Sequence, residues 1–243
     1  ASVASAMGTG FMDRVAENTV LTAERVDVRI VPGALDYALE NHAAIRANWQ
    51  RECAANPSLY DGEIYLAPEA RLEHGVLTAG FRRTSFATLM HWRRDPARMR
   101  PWHIFSVGVI TSWEGDLIAA EMGHGHAIAG RIYFTAGTVD NQDIVDGRVD
   151  YNANMLREVR EETGLDLGQA RMEPHFNLVT SNRSIALFRR FRFDASTWEL
   201  VAAINDFLAR QSMRELARII PVSRAGQLGE ATPPYVRAFA DWH

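Results

Sequence analysis

The sequence predicts a mixed α/β (α+β) fold, in which strands and helices form packed layers. Two β-rich runs, residues 104–111 and 117–122, flank a turn at Gly115-Asp116. Residues 151–163 have the apolar spacing of a helix, and Gly164 follows them as a glycine commonly follows a helix. The later predicted elements are strands at 131–134, within 175–193 and at 219–222, and helices at 196–211 and 233–242.

Composition and charge limit the classes of partner. The chain has 243 residues, 47% of them hydrophobic and 23% charged, as in an ordinary globular protein. Its net charge of −4 gives no general attraction to nucleic acid or to an anionic membrane, so neither is expected as a partner. The single cysteine, Cys53, cannot form a disulfide within the chain. This favours a reducing compartment, and we predict a cytoplasmic location.

The first hundred residues differ in texture from the rest. We expect residues 1–12 to be a disordered end or an addition made for expression, 13–101 to form an N-terminal extension, and 102–243 to form the main domain. Within the extension, the sequence predicts helices at 34–55 and 85–93 and strands at 63–66 and 70–78.

Three glutamates in the helix at 151–163 carry the clearest chemical signal. Glu158, Glu161 and Glu162 are three and four residues apart, so they share one helix face and repel one another unless a cation lies among them. Mg²⁺ suits such carboxylates and keeps water and phosphate as its other ligands. Arg157 lies four residues before Glu161 and can orient its carboxylate. The alternative without a function is a solvent-exposed surface helix with arginine–glutamate ion pairs.

The stretch from Arg157 to Leu165, R-E-V-R-E-E-T-G-L, resembles the second half of the Nudix box, G-x5-E-x7-R-E-U-x-E-E-x-G-U, in which U is apolar. Gly137 resembles its opening glycine. The resemblance implies an α/β/α sandwich around a mixed sheet. It also implies hydrolysis of a nucleoside diphosphate linked to another group, with Mg²⁺ or Mn²⁺ as cofactor.

The resemblance also implies roles for particular residues. Glu158, Glu161 and Glu162 match the metal ligands, and catalysis falls to Glu161, Glu158 and Arg157. Gly137 and Arg131 are assigned to substrate binding, because Gly137 opens the box and Arg131 could reach a phosphate from the preceding strand. Gly164 ends the helix and is structural.

The upstream half of the box departs from the family pattern. Counting back from Arg157, the first glutamate falls at Val149, although the neighbouring Asp150 could compensate after a register shift. The loop 138–148 contains about six residues more than the family has. We expect its aspartates, Asp140, Asp143 and Asp146, either to assist a second metal or to be a solvated acidic loop.

Several assignments stay open at this point. The general base could be Glu161 or Glu158, or else lie later in the chain at Glu199, Glu215 or Glu230. His124 and His126 could contact a ligand or simply shape a turn. The oligomeric state is open and includes a homodimer.

A shorter resemblance lies in the extension. A segment of the Nudix branch that hydrolyses UDP-glucose is similar to Trp49 and the stretch N-P-S-L-Y-D-G at 56–62. The alternative is that these residues only end a helix and form a turn, which the same sequence would also encode. The substrate expected is thus a nucleotide conjugate such as a nucleotide sugar. The alternatives are a nucleotide-binding or regulatory module with weakened catalysis, and an interaction protein.

Overall fold

The computed structural model describes residues 11–97, 99–123, 129–212 and 214–243. Its helices are α1 (Asp36–Glu40), α2 (His42–Ala55), α3 (Phe86–Arg94), α4 (Tyr151–Thr163), α5 (Thr197–Ala209) and α6 (Pro234–Trp242). Its strands are β1 (Val20–Ala23), β2 (Arg25–Ile30), β3 (Glu63–Leu66), β4 (Ala70–Glu73), β5 (Val76–Ser85), β6 (His103–Thr111), β7 (Leu117–Met122), β8 (Ile132–Tyr133), β9 (Ala136–Gly137), β10 (Ile144–Val145), β11 (Arg148–Val149), β12 (Arg171–Met172), β13 (Phe176–Ser181), β14 (Ser184–Arg192) and β15 (Leu216–Val222).

The larger sheet has mixed strand direction, as predicted. Its order is β1-β13-β14-β6-β7-β15, with the short strands β8, β9 and β12 paired beside this path. Strands β14 and β6 are parallel, whereas β13 and β14 form an antiparallel pair. The mixed α/β class is therefore confirmed.

Helices cover both faces of this sheet, and alternate side chains of β6 contact the two layers. Ser106 and Gly108 face α4: Ser106 donates a hydrogen bond to Asn154, and a Cβ on Gly108 would lie 2.8 Å from Val159 Cγ2. Val107 and Val109 point to the opposite face and pack in one cluster with Phe239 of α6. The sheet between α4 and α6 is the α/β/α layering that the sequence resemblance implied.

A second sheet lies mainly in the N-terminal half, and it is joined to the main domain. Its order is β10-β11-β2-β5-β3, so strands from beyond residue 101 complete it. In return, β1 pairs with β13 of the larger sheet. Met12 is buried in the common core, whereas residues 1–10 lie outside the described part of the chain. The division between 13–101 and 102–243 stays a prediction.

Three predicted elements need correction. The helix expected over 34–55 is interrupted at Asn41, whose side-chain amide donates to the carbonyl of Tyr37 at 2.9 Å and so competes with the helix. The strand expected over 70–78 is a hairpin, with His74 and Gly75 at φ 48° and 73° in its turn. The loop expected between the box glycine and α4 contains the β10–β11 hairpin. In the described residues we find no helix with the length and apolar character needed to cross a bilayer.

Candidate active site

Helix α4 has defined ends and carries Glu158, Glu161 and Glu162 on one face. Asp150 caps its first turn by accepting a hydrogen bond from the amide of Ala153 at 3.0 Å. Gly164 ends it at φ 74°, and a Cβ there would lie 2.4 Å from the ring of Phe207. Val159 is fully buried against the sheet. The helix predicted at 151–163 is thus observed, and its structural glycine both adopts a left-handed conformation and allows α5 to approach closely.

Glu158 is pressed against the strand that carries the box glycine. A Cβ on Gly137 would lie 2.2 Å from Glu158 Cγ and 2.8 Å from Asn154 Oδ1, so only glycine leaves room for α4 here. Arg157 Nη1 forms an ion pair with Glu158 at 2.8 Å. Gly137 therefore makes room for Glu158, and its assignment to substrate binding stays a prediction.

Glu162 is half-buried on the same face, one helical turn beyond Glu158. Burial raises its pKa to about 9, and repulsion from Glu158, Glu215 and Glu161 adds to the effect. Burial also raises the pKa of Glu158, to about 7, against the opposing effect of Arg157. Glu162 has no hydrogen-bond or ion-pair partner in the described part of the chain. A divalent cation would relieve this repulsion, and carboxylate oxygens are the ligands that Mg²⁺ and Mn²⁺ accept.

The third predicted ligand, Glu161, is placed differently. Its side chain is 62% exposed, and Arg157 Nη1 lies 3.4 Å from one carboxylate oxygen. Within the described ranges, no three histidine, cysteine, aspartate or glutamate side chains lie close enough together to bind one metal ion. Mg²⁺ usually takes only one or two protein carboxylates besides water and substrate phosphate, so the pair Glu158 and Glu162 fits such an ion.

Asp143 lies where the sequence resemblance would put the first glutamate of the box. It lies six residues after Gly137, as the family spacing requires, and its side chain is 2% exposed. Arg157 Nη2 donates to its two carboxylate oxygens at 3.2 and 3.0 Å, and the amide of Asn154 donates to it at 2.8 Å. A solvated acidic loop is therefore wrong for Asp143. The count forward from Gly137, rather than back from Arg157, could have found it.

The extra residues consequently lie after Asp143, not before it. They form the β10–β11 hairpin, which pairs with β2 at Arg148 and Arg29. Gly147 at its turn accepts a hydrogen bond from the amide of Ile30 at 2.8 Å. The insertion thus connects the box to the N-terminal sheet, and Val149 is a strand residue instead of a substitute for the glutamate.

The remaining candidates for the general base and for ligand contact lie in different parts of the structure. Glu215 acts electrostatically on Glu162, so it lies beside the carboxylates of α4. Glu199 is used in the capping box of α5, where it accepts from the amide of Ser196 at 2.7 Å. Glu230 is exposed. His124 and His126 lie outside the described residues.

Two further sequence features were assigned before the structure. Arg131 is exposed immediately before β8, and its assignment to substrate binding stays a prediction. In the segment at 56–62, Asp61 accepts from the amide of Ala87 at 2.7 Å, and the carbonyl of Gly62 accepts from Phe86 at 2.8 Å. The turn therefore holds the start of α3. Its similarity to the UDP-glucose-hydrolysing branch stays a prediction.

An open cavity of about 790 Å³ lies at the other end of α4. Asn152 contributes to its lining, ten residues or about 15 Å along the helix from Glu162. Arg189, which also lines it, is bound to Asn152 Oδ1 and to the carbonyls of Glu173 and Pro174. The cavity is thus a separate feature from the acidic face that carries Glu158 and Glu162.

No protein-family model matches the chain, and no curated protein matches it. Among solved structures it is similar to the MutT protein from Methanosarcina mazei Go1, with 19% identity, 60% of this chain and 95% of the other covered, and a TM-score of 0.39. It is also similar to DR0079 from Deinococcus radiodurans, with 17% identity, 43% and 64% covered, and a TM-score of 0.31. A third is the Nudix domain of Shewanella oneidensis NrtR complexed with ADP ribose, with 11% identity, 52% and 76% covered, and a TM-score of 0.33. That domain is named for the family that residues 157–165 resemble.

Proposed function

We propose that this protein is a Nudix-type diphosphatase that hydrolyses a nucleoside diphosphate linked to another group, such as a nucleotide sugar. The observation that carries the proposal is the acidic face of α4. There Glu158 is fixed between Gly137 and Arg157, and Glu162 lies one turn away with no cationic side chain beside it among the described residues. Burial raises the pKa of both carboxyl groups, so a bound cation would be needed to keep both ionised near pH 7, and diphosphate chemistry needs the same cation.

The proposed cofactor is Mg²⁺ or Mn²⁺, held by Glu158 and Glu162 with Glu161 at the exposed edge. When bound, the ion would neutralise charge on the phosphates and lower the pKa of water. The chain supplies the other requirements. Arg157 holds Glu158 in place, and a glutamate accepts the proton of the attacking water. Oxygen from water bonds to phosphorus, the bridging P–O bond breaks, and two phosphate products leave.

Among the candidates for the general base, Glu215 joins Glu161 and Glu158. It precedes β15, and its backbone carbonyl accepts from the amide of Gly123 at 2.7 Å, which fixes it beside α4. A Cβ on Gly123 would lie 2.9 Å from the carbonyl oxygen of Arg214, so this approach depends on glycine. A cytoplasmic location and the number of subunits remain predictions.

The test is a screen of nucleoside diphosphate conjugates, UDP-glucose among them, with Mg²⁺ and with Mn²⁺. We expect metal-dependent release of phosphate esters, and a loss of at least a hundredfold in kcat for Glu161→Gln and Glu158→Gln. The control is Glu40→Gln, which changes an exposed glutamate at the end of α1 in the same way. If no conjugate is cleaved but several raise the melting temperature, the hydrolase is wrong and the binding module is right.

A further inference from the structure

The open cavity at the start of α4 is built by four separate parts of the chain. Residues at the start of β2, in the β10–β11 hairpin, in the first turn of α4 with its cap, and in the β13–β14 pair line a volume of about 790 Å³. Sites for small organic ligands have volumes of roughly 300–1,000 Å³. The N-terminal sheet, the inserted hairpin and the main domain together form a cavity of that size.

One residue of the lining is a buried cation held in a fixed position. Arg189 is 6% exposed, and its guanidinium carbon lies 4.4 Å from the centroid of the Phe176 ring, which also lines the cavity. The guanidinium donates to Asn152 Oδ1 at 2.6 Å and to the carbonyls of Glu173 and Pro174 at 2.7 and 2.8 Å. Because a guanidinium has five N–H groups, two of them have no acceptor among the described residues.

This buried cation also has no carboxylate partner. Its three acceptors are one side-chain amide oxygen and two backbone carbonyls, and in the described part of the chain Arg189 forms no ion pair. The carboxylate of Glu173 acts on Arg189 electrostatically, but Arg190 Nε and the amide of Asn177 donate to it at 3.0 and 3.1 Å. Buried charges in proteins are normally paired, so an anion at Arg189 would supply the counter-charge.

Apolar side chains form a second part of the lining. They are Val26, Val145, Val149 and Phe176. Val145 belongs to the inserted hairpin, and it is 56% exposed although its side chain is a large hydrophobic group. An apolar ligand in the cavity would remove part of this surface from water, which favours binding.

The charges of the lining disfavour a ligand with several negative groups. Arg25 and Arg148 contribute two exposed cations besides Arg189. Three acidic residues offset the three arginines formally, and they are Glu24, Asp146 and Asp150. These carboxylates would repel a polyanion such as a nucleoside diphosphate, whereas a single negative charge can lie against the buried guanidinium.

We propose that this cavity binds a monocarboxylic acid with an aliphatic chain. The two remaining N–H groups of Arg189 donate to the carboxylate, whose planar shape suits a guanidinium, and the chain packs against the valines and Phe176. The site goes beyond the proposed hydrolysis. Asn152 lies six residues before Glu158, or about 9 Å along α4, and the ligand contains no phosphate.

The test is calorimetric titration with octanoate in the presence of EDTA, compared with octanamide, which has the same shape without the charge. We expect the wild-type protein to bind octanoate at one site and octanamide at least tenfold more weakly. Arg189→Met removes the charge but keeps a side chain over Phe176, and it should bind octanoate at least tenfold more weakly. If thermal melting shows that this variant is unfolded, the comparison of the two ligands on wild type decides. Absence of octanoate binding, or equal binding of octanamide, overturns the proposal.

A second pair of variants tests where the ligand binds. Val145→Asp adds a negative charge to the lining at an exposed position, so octanoate should bind at least tenfold more weakly. The control is Leu39→Asp, which makes the same kind of change in α1 at a side chain that is 63% exposed and is not part of the lining. It should bind within twofold of wild type. Equal affinities of the two variants would overturn the assignment to this cavity.

Two further titrations test the class of ligand and the independence of the site. Acetate should bind at least tenfold more weakly than octanoate, because it has the carboxylate without the chain. Acetate as tight as octanoate would contradict the apolar part of the site. Glu158→Gln should bind octanoate like wild type, so loss of hydrolysis and loss of this site are distinguishable results.

Discussion

Arg157 Nη2 donates hydrogen bonds to both carboxylate oxygens of Asp143, at 3.2 and 3.0 Å. The other terminal nitrogen of Arg157 contacts Glu158 and Glu161. One guanidinium thereby connects the loop after Gly137 to the proposed metal ligands. Because Asp143 is buried, the connection is protected from water and its geometry is well defined.

Asp143→Asn should disturb this connection without removing any proposed ligand. We expect kcat to fall at least tenfold with a smaller change in KM, because Arg157 no longer orients Glu158, and the free energy of unfolding to fall by about 1–3 kcal/mol. Asp143→Glu, which restores the charge, should recover part of the kcat. Steady-state kinetics and urea unfolding measure both effects.

The matched control for this pair is Asp146→Asn in the turn of the inserted hairpin. Asp146 has φ 50°, a conformation that asparagine tolerates, and it has no contact with Arg157. It should leave kcat unchanged. Equal kcat losses for both asparagine variants, or none for Asp143→Asn, would contradict a positioning role for Asp143.

Gly137→Ala should reduce turnover by displacing Glu158. A Cβ at position 137 would lie 2.2 Å from Glu158 Cγ, which is close to the helix and cannot simply swing away. We expect at least a tenfold loss of kcat. Gly229→Ala, where nothing lies within 4 Å of the new Cβ, is the control and should behave like wild type. Full activity of Gly137→Ala would show that a Cβ at position 137 does not displace Glu158.

Gly164→Ala should destabilise the fold through two separable causes. The left-handed conformation at φ 74° costs an L-residue about 1–2 kcal/mol, and the contact with Phe207 adds to this. Gly130→Ala has the same φ of 74° but meets nothing within 4 Å, so it measures the first cause alone. Urea denaturation should show a larger loss for Gly164→Ala, and equal losses would exclude the packing cause.

His103 should make stability depend on pH in the acid range. Burial, helped by the charge of Arg93, lowers its pKa from 6.5 to about 3. Between these values the unfolded chain binds a proton that the folded chain does not, so the free energy of unfolding falls as pH decreases, by up to about 1.4 kcal/mol per pH unit. Above pH 6.5 this contribution is absent.

His103→Phe should remove that part of the pH dependence, as followed by urea unfolding at intervals from pH 7 to pH 4. The control is His74→Asn, which changes an exposed histidine in a turn at φ 48°. It should retain the wild-type slope. A slope for His103→Phe that equals the wild-type slope would show that another group is responsible.

The sequence by itself determined the elements whose cause is local. The periodicity of residues 151–163 and the glycine that follows them predicted α4 with its bounds, because a glycine that ends a helix acts within the neighbouring turn. The cap that Asp150 provides became visible only in the structure. The spacing of Glu158, Glu161 and Glu162 placed them on one helix face for the same reason. Two turns inside predicted elements were not predicted. Asn41 interrupts the helix and His74-Gly75 the strand, although the apolar periodicity continues across both positions.

The tertiary structure alone decided which distant residues complete the site. Arg157 contacts Asp143, which lies fourteen residues earlier in the chain, just before the inserted hairpin that pairs with β2. Glu215 and Glu162 meet only when β15 joins β7 beside α4. Such contacts depend on strand pairing between segments far apart in the chain, and periodicity along one segment carries no information about them.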